Sequence, residues 1–60
     1  MDITYDKEAD AIYIRLIKGK LFETRKEGVC LIDYSKGGKI LGIEIINWSR
    51  VFSNATKLGA

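Results

Sequence analysis

Lys39-Ile40-Leu41-Gly42-Ile43-Glu44-Ile45-Ile46 is an almost uninterrupted run of β-branched and aliphatic residues. It lies between the turn Ser35-Lys36-Gly37-Gly38 and the one tryptophan of the chain, Trp48. A short apolar run of this kind, bounded by turn formers, reads as a strand buried on most of its surface. The other strands must pack around it. Just before it, Val29-Cys30-Leu31-Ile32-Asp33-Tyr34 is a second strand, joined through the glycine-rich loop. Closing that loop with Tyr34 opposite Lys39 pairs Ile32 with Leu41, Cys30 with Ile43 and Val29 with Glu44. Cys30, Ile32, Leu41, Ile43 and Ile45 then share one apolar face. A three-residue loop with a bulge shifts this pairing, and the first register is preferred because it segregates the apolar residues better.

Working outward, Asp2-Ile3-Thr4-Tyr5-Asp6 alternates polar and apolar residues as a short strand does, and Lys7-Glu8-Ala9-Asp10 breaks it. Ala11 to Ile17 is again rich in β-formers, with Ile12, Ile14 and Leu16 on one face and Ala11, Tyr13, Arg15 and Ile17 on the other. Lys18-Gly19-Lys20 is a turn in which glycine supplies positive φ. Leu21 to Arg25 is a weaker, half-polar strand suited to a sheet edge, and Lys26-Glu27-Gly28 interrupts it. After Ile46 the period changes. Trp48, Val51, Phe52 and Ala55 recur at helical spacing, Asn47 or Ser49 can cap the start, and Lys57 with Gly59 suits the end. A helix over about 49–58 would lie across the apolar sheet face and bury Trp48 and Phe52. The fold class is α+β: one domain over residues 1–60, with an antiparallel sheet of four or five strands and one short C-terminal helix packed on one face.

Sixty residues carry ten basic and eight acidic side chains, a net charge of +2, one cysteine, no histidine and no proline. A chain of this size hides only about 60% of the surface its unfolded form exposes. A lone cysteine excludes an intramolecular disulfide, and without histidine there is no Cys/His zinc cluster, so self-association is the staple left. No run approaches a membrane span, and Met1 to Asp6 lacks the order of a secretory signal, which makes a cytoplasmic, non-membrane protein the expectation.

Asp6, Glu8 and Asp10 form the densest carboxylate cluster and the only weak candidate metal site. Their spacing imitates the start of a calcium loop, but Ala11 and Ile17 stand where that loop requires glycine and glutamate. Asp6 and Asp10 are better read as acceptors for backbone amides of the turn they flank. Glu44, within the most apolar strand, is the carboxylate most exposed to perturbation, with Arg15 or a nearby lysine its expected ion-pair partner. Cys30 lacks a histidine base and reads as a small core residue. No catalytic residue, metal or cofactor is assigned, and an enzyme is not expected.

The face of Ala11, Tyr13 and Ile17, set beside Val29, Leu31, Ile40 and Ile46, is too apolar to be left in water. Tyr13, Arg15, Ile17, Ile40, Glu44 and Ile46 are therefore interface candidates for a homodimer or a small protein partner, with Arg15 and Glu44 as a charge pair. The alternative is a nucleic-acid-binding surface built from Tyr13, Arg15, Phe22, Arg25 and Lys39, against which the interspersed Glu23, Glu27 and Glu44 count.

Tyr5-Asp6, Glu8-Ala9-Asp10, Tyr13, Asp33-Tyr34 and Gly42-Ile43-Glu44 occur in an order that resembles a family of small uncharacterised prokaryotic proteins, a domain of unknown function with a YDxEADAxYIxL … DYxxxGxIxGIEI pattern. The resemblance covers about three quarters of the chain. Ser35-Lys36-Gly37-Gly38 replaces the acidic hairpin turn usual in that family. The resemblance implies a small β-rich fold and no established activity; its members often look like companions of other small proteins, as in toxin–antitoxin pairs. The expected function is thus a non-enzymatic interaction module.

Overall fold

The computed structural model describes residues 1–59, with side chains described as far as Ser53. Five strands, β1 (Asp2–Asp6), β2 (Ala11–Arg15), β3 (Glu23–Glu27), β4 (Cys30–Tyr34) and β5 (Ile40–Ile45), precede one helix, α1 (Trp48–Gly59). They form a single antiparallel sheet in the order β1-β2-β5-β4-β3. The isoleucine-rich strand β5 is therefore central, as its composition demands. The edges are the alternating β1 and the charged β3, whose side chains discourage further pairing.

The β4–β5 register is displaced by two residues from the simplest closure of the hairpin: Cys30 faces Ile45, Leu31 faces Glu44 and Ile32 faces Ile43. The reason lies in the loop and a bulge. Ser35 donates its amide to the Lys39 carbonyl, Gly38 donates to the Ser35 carbonyl, and the register then slips between Asp33 and Tyr34, so that Tyr34 faces Ile40. Because the displacement is even, Cys30, Ile32, Ile43 and Ile45 still share a face. Leu41 falls at the bulge, where its carbonyl accepts the amides of both Leu16 and Ile17. Strand β3 also starts later than its composition suggests. Gly28 takes a φ of +62° and compresses the β3–β4 connection to Gly28-Val29, so Glu27 pairs directly with Cys30.

The ladder sorts side chains into two faces. One carries the row Ile3, Ile14, Ile43, Ile32 and the row Tyr5, Ile12, Ile45, Cys30, ending on Arg25 and Glu27 of the edge strand. The other carries Thr4, Tyr13, Glu44, Leu31 and Lys26, then Asp2, Arg15, Gly42, Asp33 and Thr24.

Of the two aromatics that the sequence places under helix α1, the structure covers one in part and leaves the other open. Trp48 is half-buried and stacks on Phe52 with ring centroids 5.7 Å apart, but Phe52 remains 56% exposed. Among the described residues the extensive contacts between elements are all between strands. The helix is anchored at its first turn instead. The amide of Trp48 donates to the Asp10 carbonyl, while Ser49 donates its amide (3.2 Å) and its hydroxyl (2.7 Å) to the Asp10 carboxylate. The capping group comes from the β1–β2 turn, since Asn47 takes a φ of +53° and offers its carbonyl to Arg50 and Val51. Ala55, Lys57 and Gly59, read from sequence as the helix's apolar face and its C-terminal end, lie outside the described side chains.

Core formation is slight. Ala11 and Leu41 are the buried hydrophobic residues, and no large side chain is fully buried among those described. The isoleucines of β2, β4 and β5 are half-buried, except Ile40, which is exposed.

Candidate functional site

The centre of the second face is organised by a glycine. Asp33 of β4 and Arg15 of β2 both stand opposite Gly42 of β5. With no side chain at position 42, the Tyr13 ring crosses the strand and its hydroxyl donates to Asp33 Oδ2 at 2.9 Å. A Cβ at Gly42 would overlap that hydroxyl, and would sit 2.7 Å from the Tyr13 Cζ. Thr24 of β3 donates its hydroxyl to Asp33 Oδ1 at 2.7 Å. Asp33 thus accepts from both sides, tying four adjacent strands together.

This network floors a cleft of about 310 Å3 whose walls are Arg15, Ile17, Lys18, Gly19, Leu21 and Leu41. The segment after β2 forms the outer wall. Gly19 does not take the positive φ expected of it; a Cβ there would lie 2.8 Å from the end of the Leu41 side chain, which would have to turn aside. Tyr13 has its pKa raised above 10.0, first by burial and then by its hydrogen bond to Asp33 and the charge of that carboxylate, with Arg15 pulling the other way. The phenol is therefore a neutral donor at physiological pH, not a base or a nucleophile.

Tyr13, Arg15 and Ile17, named from sequence as interface residues, come together in this cleft. Glu44 faces Tyr13 across the ladder, while Arg15 stands one position away opposite Gly42, and the two form no ion pair within the chain. The ion pair found among the described residues is Arg25 with Glu23 at 3.0 Å, beside a cation–π contact of Arg25 with Tyr34 at 5.3 Å. Ile40 and Ile46 lie outside the cleft, Ile40 exposed at the bulge and Ile46 half-buried with its amide on the Val29 carbonyl.

The nucleic-acid set is divided. Tyr13 and Arg15 belong to the cleft, whereas Phe22 and Arg25 border a second hollow with Tyr34 and Lys36. Lys39 ends the β4–β5 loop, its amide held by the Ser35 hydroxyl.

The acidic cluster separates into two structural roles. Asp6 accepts the amides of Glu8 (3.1 Å) and Ala9 (3.2 Å), the turn role expected of it. Asp10, expected to do the same, instead caps α1 and accepts the Tyr5 hydroxyl at 3.1 Å. Glu8 joins neither, and among the described residues no three acidic or thiol side chains converge to hold a metal.

Sequence reading missed Thr24 and Lys18 altogether, and noted Asp33 and Gly42 only as positions of the resemblance. One available signal was the glycine inside an otherwise aliphatic strand, which marks a close approach.

Fold and site together define a small α+β sheet protein with a carboxylate held between two hydroxyls above a strand glycine. A family model described as a protein of unknown function (DUF2283) matches residues 2–49, and the chain belongs to that family. The match spans the whole sheet and the start of α1. No curated protein and no solved structure matches the chain. No helix among the described residues is long and apolar enough to cross a membrane.

Proposed function

We propose that the protein is a non-enzymatic interaction module that works as a homodimer in the cytoplasm, joined through the isoleucine face of its sheet. The observation that carries this reading is surface. The chain exposes 4813 Å2. A folded monomer of 6.8 kDa should expose about 3,950 Å2. The difference, about 850 Å2, is close to what one partner buries in a standard interface.

Burial indicates which face. Ala11 and the cleft-lining Leu41 are both on the Tyr13 side, while Ile12, Ile14, Ile32, Ile43 and Ile45 stay half-open on the other. This differs from the sequence expectation, in which the helix covered the isoleucines and a partner covered Tyr13. A second copy suits the isoleucine face because its β3 rim carries both signs, so a two-fold axis can set Arg25 of each copy against Glu27 of the other. The absence of a phenol or thiol poised for chemistry supports a binding role. The Tyr13 pKa is raised, so its phenol stays protonated and neutral, and Cys30 lies between Glu27 and Ile45 in a chain without histidine.

Sedimentation equilibrium at micromolar concentration tests the reading. The expected mass is twice the 6.8 kDa of one chain. Ile3→Lys, at an edge position that is 62% exposed, should weaken self-association about tenfold without unfolding the sheet. A folded monomer at those concentrations overturns it and leaves a different small protein as the partner to seek.

A further inference from the structure

We propose that the cleft beside the β5 bulge binds a small organic carboxylate with an aliphatic tail. Its volume of about 310 Å3 falls at the small end of ligand pockets, which run from about 300 to 1,000 Å3. Arg15 and Lys18 both line it, and neither makes an ion pair among the described residues. Asp33 offsets one of these charges, while its two oxygens already accept from the Tyr13 and Thr24 hydroxyls and form no ion pair with either cation. Two cations against one carboxylate leave the cleft's own lining with one surplus positive charge. A planar guanidinium beside an ammonium is a natural seat for a carboxylate, which Arg15 can meet with two parallel hydrogen bonds.

The tail follows from the other walls. Ile17 is 43% exposed and Leu21 55% exposed, and with the Leu41 side chain they give the cleft an aliphatic side opposite its charges. Covering them removes apolar surface from water, which a bare inorganic anion cannot do. The cleft lies on the face opposite the isoleucines, so occupancy does not depend on how the sheet self-associates.

The test is a backbone amide NMR titration of the full chain with sodium hexanoate, run beside hexanol and inorganic phosphate. Hexanoate should shift the amides of Lys18, Gly19 and Leu41 in a saturable way, with hexanol and phosphate each binding about tenfold more weakly or not at all. Arg15→Gln and Lys18→Gln should each weaken hexanoate about fivefold. Arg15 and Lys18 are exposed, so their unchanged spectra without ligand would establish that the fold is intact. Absence of saturable shifts, equal binding of hexanol or phosphate, or unaltered affinity in both variants would overturn the proposal.

Discussion

Gly42 is the residue on which the site turns, and the reason is steric. A methyl group at that position must displace the Tyr13 ring, which lies over the backbone to reach Asp33, and the Ile14 carbonyl is only 3.0 Å from the added carbon. Gly42→Ala should therefore destabilise the protein by about 1–3 kcal/mol, the range for overpacking a filled position. Tyr13→Phe removes one hydrogen bond to a carboxylate that keeps its Thr24 partner, and should cost about 1 kcal/mol. Urea unfolding of both variants and of Tyr13→Ala with Gly42→Ala checks the assignment: in the double variant the Gly42 cost should shrink, because the obstructing ring is gone. The raised pKa of Tyr13 adds a pH dependence. The folded state holds that proton more tightly than the unfolded chain, so the contribution is complete below 10.0 and is lost as pH rises through the higher folded value. Tyr13→Phe should flatten that alkaline loss. The sequence makes Tyr13 conspicuous but hides its partner, since Asp33 sits two strands away and pairs with Tyr13 only over the gap at Gly42.

At the scale of elements, strands were more legible than their joints. The composition of Lys39 to Ile46 places β5 at the centre because only a strand with neighbours on both sides can accommodate so many isoleucines, and the central position follows. The bulge that displaces β4 against β5 was not legible, because both registers keep the same residues on one face and loop geometry alone decides between them. The helix was legible by period but not by anchorage. Its own first turn has no acidic residue, and the carboxylate that serves it is Asp10, 39 positions from Ser49. Hydrogen bonds from Ser49 hold the Asp10 pKa below 3.8 despite partial desolvation. The folded form thus favours the carboxylate, and its contribution is complete above 3.8 and lost as pH falls through the lower folded value. Asp10→Asn should reduce helical ellipticity at neutral pH and abolish its decline in acid, while strand amide protection in hydrogen exchange stays unchanged. Equal loss across sheet and helix would mean that Asp10 supports the turn, not the cap.

For the whole molecule, the physical problem is that the sheet has two faces and, among the described residues, both stay partly open. The radius of gyration is 12.7 Å, against about 10.4 Å for a compact chain of this length. Among the described residues, two buried hydrophobic side chains offer little to offset backbone ordering of about 1–2 kcal/mol per residue. In the proposed dimer a second copy covering the isoleucine face would supply the missing burial and would make folding and association one equilibrium. Stability must then depend on protein concentration, since mass action favours the assembled state. Two sixty-residue chains unfolding together should raise Tm by about 5 °C for each tenfold increase in concentration. Ile43→Asp, in the middle of the isoleucine row, should abolish the transition altogether, because a carboxylate there blocks both the sheet's own packing and its closure by the partner. Circular-dichroism melts over a hundredfold range of concentration decide the matter. A Tm that does not move with concentration would mean that the single chain finds enough burial by itself, and that the open isoleucine face serves something other than its own copy.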